Sequence, residues 1–307
     1  MTPAYEELFR QALRIRMVEE KITELYPSDK IQSPVHLSIG QEPHIVAFIR
    51  QLDIGDQVFT SYRSHAVYLA KGGDLKKMLA ELYGKASGIA GGKAGSMHLC
   101  APETNMMGSS AIVAATFSHA LGAAYAFKLQ RKKNIVVSIT GDGSTEEGVF
   151  HECLNFASLK KLPLLFLIEN NGLAIYARIK TRQAFDLRKL ARAYNIPYFN
   201  SDNGFDMKSV ALKSRELTAR VRRTGAPALF EVHTHRFKEH VGVNENHKKA
   251  YATAAETKKW RSRDPLLQNK ALVKKYGPAI EREISAAAEY AENAPFPSCK
   301  ELLKDIY

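Results

Sequence analysis

Short apolar runs alternate with helical segments from residue 111 onward. Such runs are typical of strands that are covered on both faces, and strands that alternate with helices predict right-handed crossovers and a parallel sheet. The predicted strands are "NIVVSIT" (134–140), "PLLFLIE" (163–169) and "ALFEVHTH" (228–235). The helices predicted before them span 111–130, 145–161 and 206–223.

The first 110 residues follow helical rather than strand periodicity. Apolar side chains recur at helical spacing over residues 4–26, and 41–52 and 74–86 also predict helices. The run "DQVFTSYRSH" (56–65) is short and extended, whereas the Gly- and Ser-rich stretch 87–110 predicts a long loop. The C-terminal part, 253–307, has a polar helical pattern.

These elements predict one α/β domain, with a parallel sheet flanked by helices and helical extensions at both ends. We expect a helical arm over 1–60, the α/β core over 61–250 and a helical C-terminal extension over 251–307.

The composition changes this picture little. The chain has 307 residues, is 45% hydrophobic and carries a net charge of +12, but its basic residues are scattered and no nucleic-acid-binding motif accompanies them. No apolar run is long enough to span a membrane, and the first residues do not resemble a targeting peptide. We therefore expect a cytoplasmic protein that binds neither nucleic acid nor membrane. The three cysteines are widely spaced and predict no disulfide framework or zinc site.

Polar residues directly after two of the predicted strands indicate a functional site. Asp142 follows the strand 134–140 within "GDG", and Asn171 follows the strand 163–169 within "NN". Ligands bind beyond the carboxyl ends of strands in such sheets, so both side chains are expected in one site. Their oxygens suit Mg²⁺, the start of the 145–161 helix favours a phosphate, and Gly143 allows close approach. The segment predicts a metal-bridged diphosphate.

The same segment is similar to the thiamine diphosphate motif, in which GDG is followed by NN. Further stretches occur in matching order: "HLSIGQE" (36–42), "SYRSH" (61–65), "GGKAGSMH" (91–98), "ENNGLAIY" (169–176) and the tail 292–307. Together they resemble the alpha chain of the decarboxylating first component of 2-oxo acid dehydrogenases, of the pyruvate, branched-chain and acetoin type. The resemblance covers nearly the whole chain.

The resemblance implies thiamine diphosphate and Mg²⁺ as cofactors and assigns roles to residues of this sequence. It implies that Mg²⁺ is bound by the side chains of Asp142 and Asn171 and by the carbonyl of Leu173. It places Tyr62, Arg63 and the N–H groups of Gly143 and Ser144 on the diphosphate, and Ala111 and Val113 against the aminopyrimidine. It makes His36 and His240 the candidate catalytic residues, with His240 also near the cofactor.

Several positions depart from the family pattern. Leu173 stands where Tyr is frequent, which a backbone ligand tolerates, and Ala111 stands where pyruvate-type members often have Gly. Val241 replaces the Ser that follows the catalytic His in mitochondrial relatives, so control by a kinase at that position is excluded. The altered loop 241–247 is compatible with a different acceptor or substrate.

The resemblance also implies a partner. In two-chain dehydrogenases a beta chain supplies the Glu that activates the cofactor, usually within an α₂β₂ heterotetramer, and a lipoyl acyltransferase is a further candidate partner. The substrate would be a 2-oxo acid or an acyloin such as acetoin. Two alternatives stay open: the N-terminal half of a split transketolase-like or carboligating enzyme, and a non-catalytic basic scaffold that kept the fold. A dinucleotide-binding protein is disfavoured, because no G-x-G-x-x-G follows a strand.

Overall fold

The computed structural model describes residues 5–31, 33–246 and 251–304. The last three residues of the tail motif and His247 of the altered loop lie outside these ranges. The strands are β1 (Gln57–Ser61), β2 (Met106–Ser110), β3 (Val136–Gly141), β4 (Leu164–Asn170), β5 (Leu173–Ala174), β6 (Ala177–Arg178), β7 (Tyr198–Ser201) and β8 (Ala228–His233). The helices are α1 (Tyr5–Leu25), α2 (Glu42–Ile49), α3 (His65–Lys71), α4 (Leu75–Leu82), α5 (Ala115–Leu129), α6 (Gly148–Lys160), α7 (Leu187–Ala193), α8 (Met207–Thr224), α9 (Ala254–Arg261), α10 (Pro265–Gln268) and α11 (Lys270–Asn293).

A six-stranded sheet with the order β2-β1-β3-β4-β8-β7 forms the centre of the chain, and all its neighbouring strands are parallel. Every residue of β4 is buried, because Leu164 and Phe166 pack on one face of the sheet and Leu165 on the other. The apolar runs therefore form strands that are buried on both faces, as predicted, and the α/β fold is confirmed. Strands β5 and β6 form a separate antiparallel hairpin.

Helices cover both faces of the sheet. On one face α5, α6 and α7 enclose a core that includes Phe117 and Phe150. On the other face α3 and α8 contact the sheet, α2 packs against both of them, and α1, α4 and α11 complete this layer. Of the helices in the described ranges, none is long and apolar enough to cross a membrane. The terminal helices thus complete the second core.

The strand order contains a reversal that locates a ligand site. From β1 the chain runs outward to the edge strand β2, whereas from β3 it runs in the opposite direction to β4. The carboxyl ends of β1 and β3 therefore flank a crevice, and ligands of open α/β sheets bind at such switch points. Tyr62 and Arg63 follow β1, and Asp142 follows β3.

Three predicted boundaries are wrong, each for a local reason. The stretch 87–110 is not all loop, because "MMGSS" forms β2, an edge strand too polar and Gly-rich to show a strand pattern. Helix α5 starts at Ala115 rather than 111, because Ala114 adopts a left-handed conformation at φ 64°. Helix α6 starts at Gly148, and a 3-10 helix occupies Asp142–Glu146 before it.

One buried carboxylate organises the glycine-rich part of the 87–110 stretch. Glu81, at the end of α4, is 1% exposed and accepts four backbone N–H groups. Its Oε2 accepts from Ala90 and Gly92 at 2.8 and 3.0 Å, and its Oε1 accepts from Ala94 and Gly95 at 2.7 and 3.0 Å. Backbone groups that would otherwise lack partners are satisfied in this way.

A second buried network joins the two ends of the chain. Arg16 on α1 donates to Glu42 through Nε at 2.5 Å and Nη2 at 3.0 Å, and to Asp264 through Nη1 at 3.0 Å. Both carboxylates are fully buried. Glu42 also accepts the N–H of Gly40 at 2.9 Å, so the network fixes the "GQE" turn. Glu42 is therefore a structural residue.

The substitution Arg16→Leu should lower the free energy of unfolding by about 3–5 kcal/mol, because it leaves two buried carboxylates without their cation. Urea unfolding measures this difference. Arg14→Leu is the matched control, since Arg14 pairs with Glu283 at the surface and should cost at most about 1 kcal/mol. Equal losses in the two variants would contradict the role assigned to the buried network.

Candidate active site

A cavity of about 220 Å³ opens at the carboxyl ends of β1, β3, β4 and β8, the four central strands. Each strand contributes the residues that follow its last hydrogen-bonded position, so the sheet itself sets their spacing. The cavity is lined by Gln41, Ser61, Tyr62, Arg63, Val113, Gly141, Gly143, Ser144, Glu146, Glu147, Glu169, Asn171, Leu173, Ala174, Ile175, Arg236 and His240.

Two arginines give the cavity its positive charge. Arg63 is 7% exposed and donates to the carbonyl of Leu37 at 2.7 Å, and burial lowers the pKa of its guanidinium. Arg236 is 1% exposed and donates to the carbonyl of Ile175 at 2.9 Å; burial and the nearby Arg63 lower its pKa to about 9. Among the described residues neither guanidinium has a carboxylate partner. Two buried cations without counter-ions favour an anionic ligand.

Asp142 lies at the floor of this cavity and is 2% exposed. Burial raises the pKa of its carboxyl group, against the opposing effect of Arg182, which pairs with its Oδ2. Its other oxygen, Oδ1, is buried and has no partner with hydrogen-bond geometry among the described residues. A buried carboxylate oxygen without a partner is costly unless a further ligand uses it.

Asn171 stands at the end of β4 with a fixed side chain. Its Oδ1 accepts the N–H of Leu173 at 3.0 Å, and its Nδ2 donates to Gln41 at 3.3 Å. Gln41 in turn donates to Glu169 at 2.8 Å, and His44 is 2.9 Å from the same carboxylate oxygen. This chain of hydrogen bonds fixes the orientation of the Asn171 side chain.

These groups fit the expected metal and diphosphate. The free oxygen of Asp142, the amide oxygen of Asn171 and the carbonyl of Leu173 are hard ligands of the kind Mg²⁺ takes together with phosphate oxygens. No group of three or more His, Cys, Asp or Glu suited to a metal occurs in the described part of the chain. The site suits a cation that a bound anion helps to hold.

Gly143 is needed for this geometry. A Cβ atom at this position would lie 2.7 Å from the Cβ of Ala174, on the hairpin strand β5. The absence of a side chain therefore lets the segment that carries Leu173 pass directly over the turn that carries Asp142. The two halves of the predicted metal site approach each other only for this reason.

An aromatic group closes the other end of the cavity. The His36 ring lies 4.4 Å from that of Tyr62 and 5.0 Å from that of His240, and Tyr62 and His240 are 5.6 Å apart, between ring centroids. Burial, with the charge of Arg63, lowers the pKa of His36 to about 2 and that of His240 to about 3. Both imidazoles are neutral near pH 7, so each can donate or accept one proton.

The structure brings most of the expected site residues together. Tyr62, Arg63, Val113, Gly143, Ser144, Asn171, Leu173 and His240 line the cavity. Asp142 lies beneath them, and His36 lies behind Tyr62. Ala111 is half-buried and is not among the lining residues.

Sequence reasoning missed several members of the site. Arg236 follows β8, as Asp142 follows β3, and this position in the sequence could have indicated it. Gln41 lies in the quoted "GQE" stretch, but nothing local shows that it reaches Asn171 across 130 positions. Arg182 carries no sequence signal, because only the folded hairpin brings it to Asp142.

Comparison with known proteins shows the family of the chain. The family model described as "Dehydrogenase E1 component" matches residues 10–294. The alpha subunit of acetoin:2,6-dichlorophenolindophenol oxidoreductase from Bacillus subtilis is 34% identical over 311 residues, covering 98% of this chain and 92% of the relative.

Pyruvate dehydrogenase E1 alpha subunits match to a similar extent. That of Rickettsia typhi is 35% identical over 316 residues, covering 99% of this chain and 95% of the relative. The chloroplastic alpha-3 subunit of Arabidopsis thaliana is 32% identical over 319 residues, covering 98% of this chain and 74% of the relative. The chain belongs to the dehydrogenase E1 component family, as an alpha subunit of the thiamine diphosphate-dependent type that acts on a 2-oxo acid or acetoin.

Proposed function

We propose that this alpha subunit binds thiamine diphosphate through Mg²⁺ in the cavity at the β1/β3 switch point and, with a beta chain, decarboxylates a 2-oxo acid or cleaves an acyloin. One observation carries the proposal. Within the described part of the chain, Arg63 and Arg236 are buried without carboxylate partners, and Oδ1 of Asp142, next to the lining residue Gly143, has no hydrogen-bond partner. A diphosphate bridged by a dication satisfies all three groups at once.

Each end of the cofactor has its own set of residues. Asp142 Oδ1, the side-chain oxygen of Asn171 and the carbonyl of Leu173 would hold Mg²⁺. Arg63, Arg236 and the hydroxyl of Tyr62 would hold the diphosphate, with the N–H groups of Gly143 and Ser144. Val113 and the nearby Ala111 would contact the aminopyrimidine.

Thiamine diphosphate, when bound, supplies the carbon nucleophile and electron sink that the reaction requires. The chain itself contributes proton handling and orientation at the opposite end of the cavity. His36 and His240 are neutral, and Arg236 Nη1 lies 3.2 Å from His240 Nδ1. Because an arginine only donates, this Nδ1 is an acceptor, and Nε2 of His240 carries the proton that can be given to substrate or acyl acceptor. A lipoyl group is the acceptor we propose.

An apolar rim supports docking of the beta chain at the mouth of the cavity. Large apolar side chains exposed in a group mark interaction surfaces. The rim consists of Ile112, Val113, Ile175, Tyr176 and Val241, which are 69%, 42%, 52%, 45% and 37% exposed. A beta chain on this rim would cover the aminopyrimidine end and present its activating Glu there, giving the α₂β₂ heterotetramer.

Asp142→Ala should abolish Mg²⁺-dependent binding of thiamine diphosphate, because the diphosphate loses the bridge that neutralises it. Isothermal titration calorimetry with and without Mg²⁺ measures the effect. Asp202→Ala removes the same charge from an exposed position after β7 and should bind the cofactor normally. Unchanged affinity in Asp142→Ala would refute the metal assignment.

The neutral state of His240 should appear in the acid stability of the protein. Unfolded histidine gains a proton near pH 6.5, whereas folded His240 resists protonation down to about pH 3. The stability that this difference provides is complete above pH 6.5 and is lost as the pH falls, by up to about 1.4 kcal/mol per pH unit. Urea unfolding from pH 7 to pH 4 should show a shallower decline for His240→Gln than for the unsubstituted protein. Parallel declines would place His240 in an environment that does not depress its pKa.

The purified chain alone should be inactive in 2-oxo acid decarboxylation, because the Glu that activates the cofactor would come from a beta chain. Co-expression with a beta-type chain should give a heterotetramer, measurable by light scattering, and should restore activity. Substitution of Ile112 by Asp in the apolar rim should weaken this assembly. Turnover by the isolated chain at ordinary enzymatic rates, on the order of 1–10³ per second, would exclude the need for a partner.

A further inference from the structure

Arg182 occupies the Asp142 side of the proposed metal site. Its Nη2 pairs with Oδ2 of Asp142, and its Nη1 pairs with Glu146. The arginine side chain is 10% exposed, and the two carboxylates are 3% and 25% exposed. One guanidinium thus bridges two carboxylates beside the position where the metal would bind.

The backbone fixes this arginine in place. The hairpin β5–β6 returns the chain over the Asp142 turn, and a 3-10 helix, Ile179–Thr181, ends directly before Arg182. The N–H of Arg182 donates to the carbonyl of Ile179 at 3.2 Å, and its Nε donates to that of Ala177 at 3.3 Å. The same hairpin carries Leu173, the expected carbonyl ligand of Mg²⁺. The cation and the ligand segment therefore belong to one folded unit.

The positive charge of the Arg182 guanidinium would repel a metal ion bound to Asp142. Asp142 is buried and bears one negative charge, which Arg182 already compensates. A dication bound to the neighbouring Oδ1 would lie beside this fixed positive charge, in a setting where water screens little. Without an added anion, Arg182 and the dication would together place three positive charges against the two carboxylates of Asp142 and Glu146.

We propose that Arg182 is a built-in counter-ion that competes with the metal for Asp142, so that the chain binds a divalent cation weakly until a diphosphate enters with it. This rests on the proposed function, since it assumes Asp142 is the metal ligand. The diphosphate adds the negative charge that lets Arg182 and the metal coexist. Metal and cofactor therefore bind as a pair, and the empty chain does not collect divalent cations.

The test measures Mn²⁺, a paramagnetic substitute for Mg²⁺, by electron paramagnetic resonance on the full chain without cofactor. Arg182→Gln should bind Mn²⁺ alone about 5- to 150-fold more tightly than the unsubstituted chain, the range of a typical coupling between sites. Arg182→Met, which keeps the apolar stem, should do the same. Arg182→Lys retains the positive charge and should bind Mn²⁺ about as weakly as the unsubstituted chain. Thermal melting checks that each variant is folded.

Lys180→Gln is the matched control, because it removes an exposed positive charge two positions away and should leave Mn²⁺ affinity unchanged. Unchanged or weaker Mn²⁺ binding in both Arg182→Gln and Arg182→Met, with the unsubstituted chain still binding Mn²⁺ when thiamine diphosphate is present, would overturn the competition alone. Absence of Mn²⁺ binding to every variant even with thiamine diphosphate would overturn the metal assignment and, with it, the competition.

Discussion

The buried pairing of Arg16 with Glu42 and Asp264 is the constraint on which the site depends. A fully buried carboxylate is stable only with a cation and hydrogen bonds around it, so α1, the "GQE" turn and the start of α10 must assemble together. Gly40 in that turn leaves no space for a side chain, since a Cβ would lie 2.2 Å from the carbonyl oxygen of His235. The segment that carries His36 and Gln41 is thereby fixed against the strand ends.

The cavity carries oriented charges of both signs before any ligand arrives. Among the described residues, Arg63 and Arg236 have backbone carbonyls and a histidine as hydrogen-bond partners, whereas Asp142 and Glu146 both pair with Arg182. The low exposure of these groups keeps their interactions strong and their geometry fixed. A diphosphate with its metal meets dipoles and charges that are already oriented, so little reorganisation accompanies binding.

The sequence predicted those parts of the molecule that local pattern determines. Strands β3, β4 and β8 were evident because both of their faces are buried, and Asp142 and Asn171 because each directly follows one of these strands. The edge strand β2 has no such pattern. The left-handed conformation of Ala114, which moves the start of α5 to Ala115, cannot be inferred from the residue type. Arg182 reaches Asp142 across 40 positions, through a hairpin whose strands have two residues each, and no periodicity records such a contact.

Glu81 accepts hydrogen bonds from four backbone N–H groups, and this limits how the glycine-rich loop can vary in length. The glycine-rich loop has almost no side chains with which to define its own path, so its template is a carboxylate on a neighbouring helix. The final shape of the loop therefore depends on α4. Within residues 90–95 an insertion would separate N–H groups that must converge on one point, whereas the backbone before Ala90 is free of that requirement. Insertions and deletions among homologous chains should therefore occur before Ala90 rather than within residues 90–95.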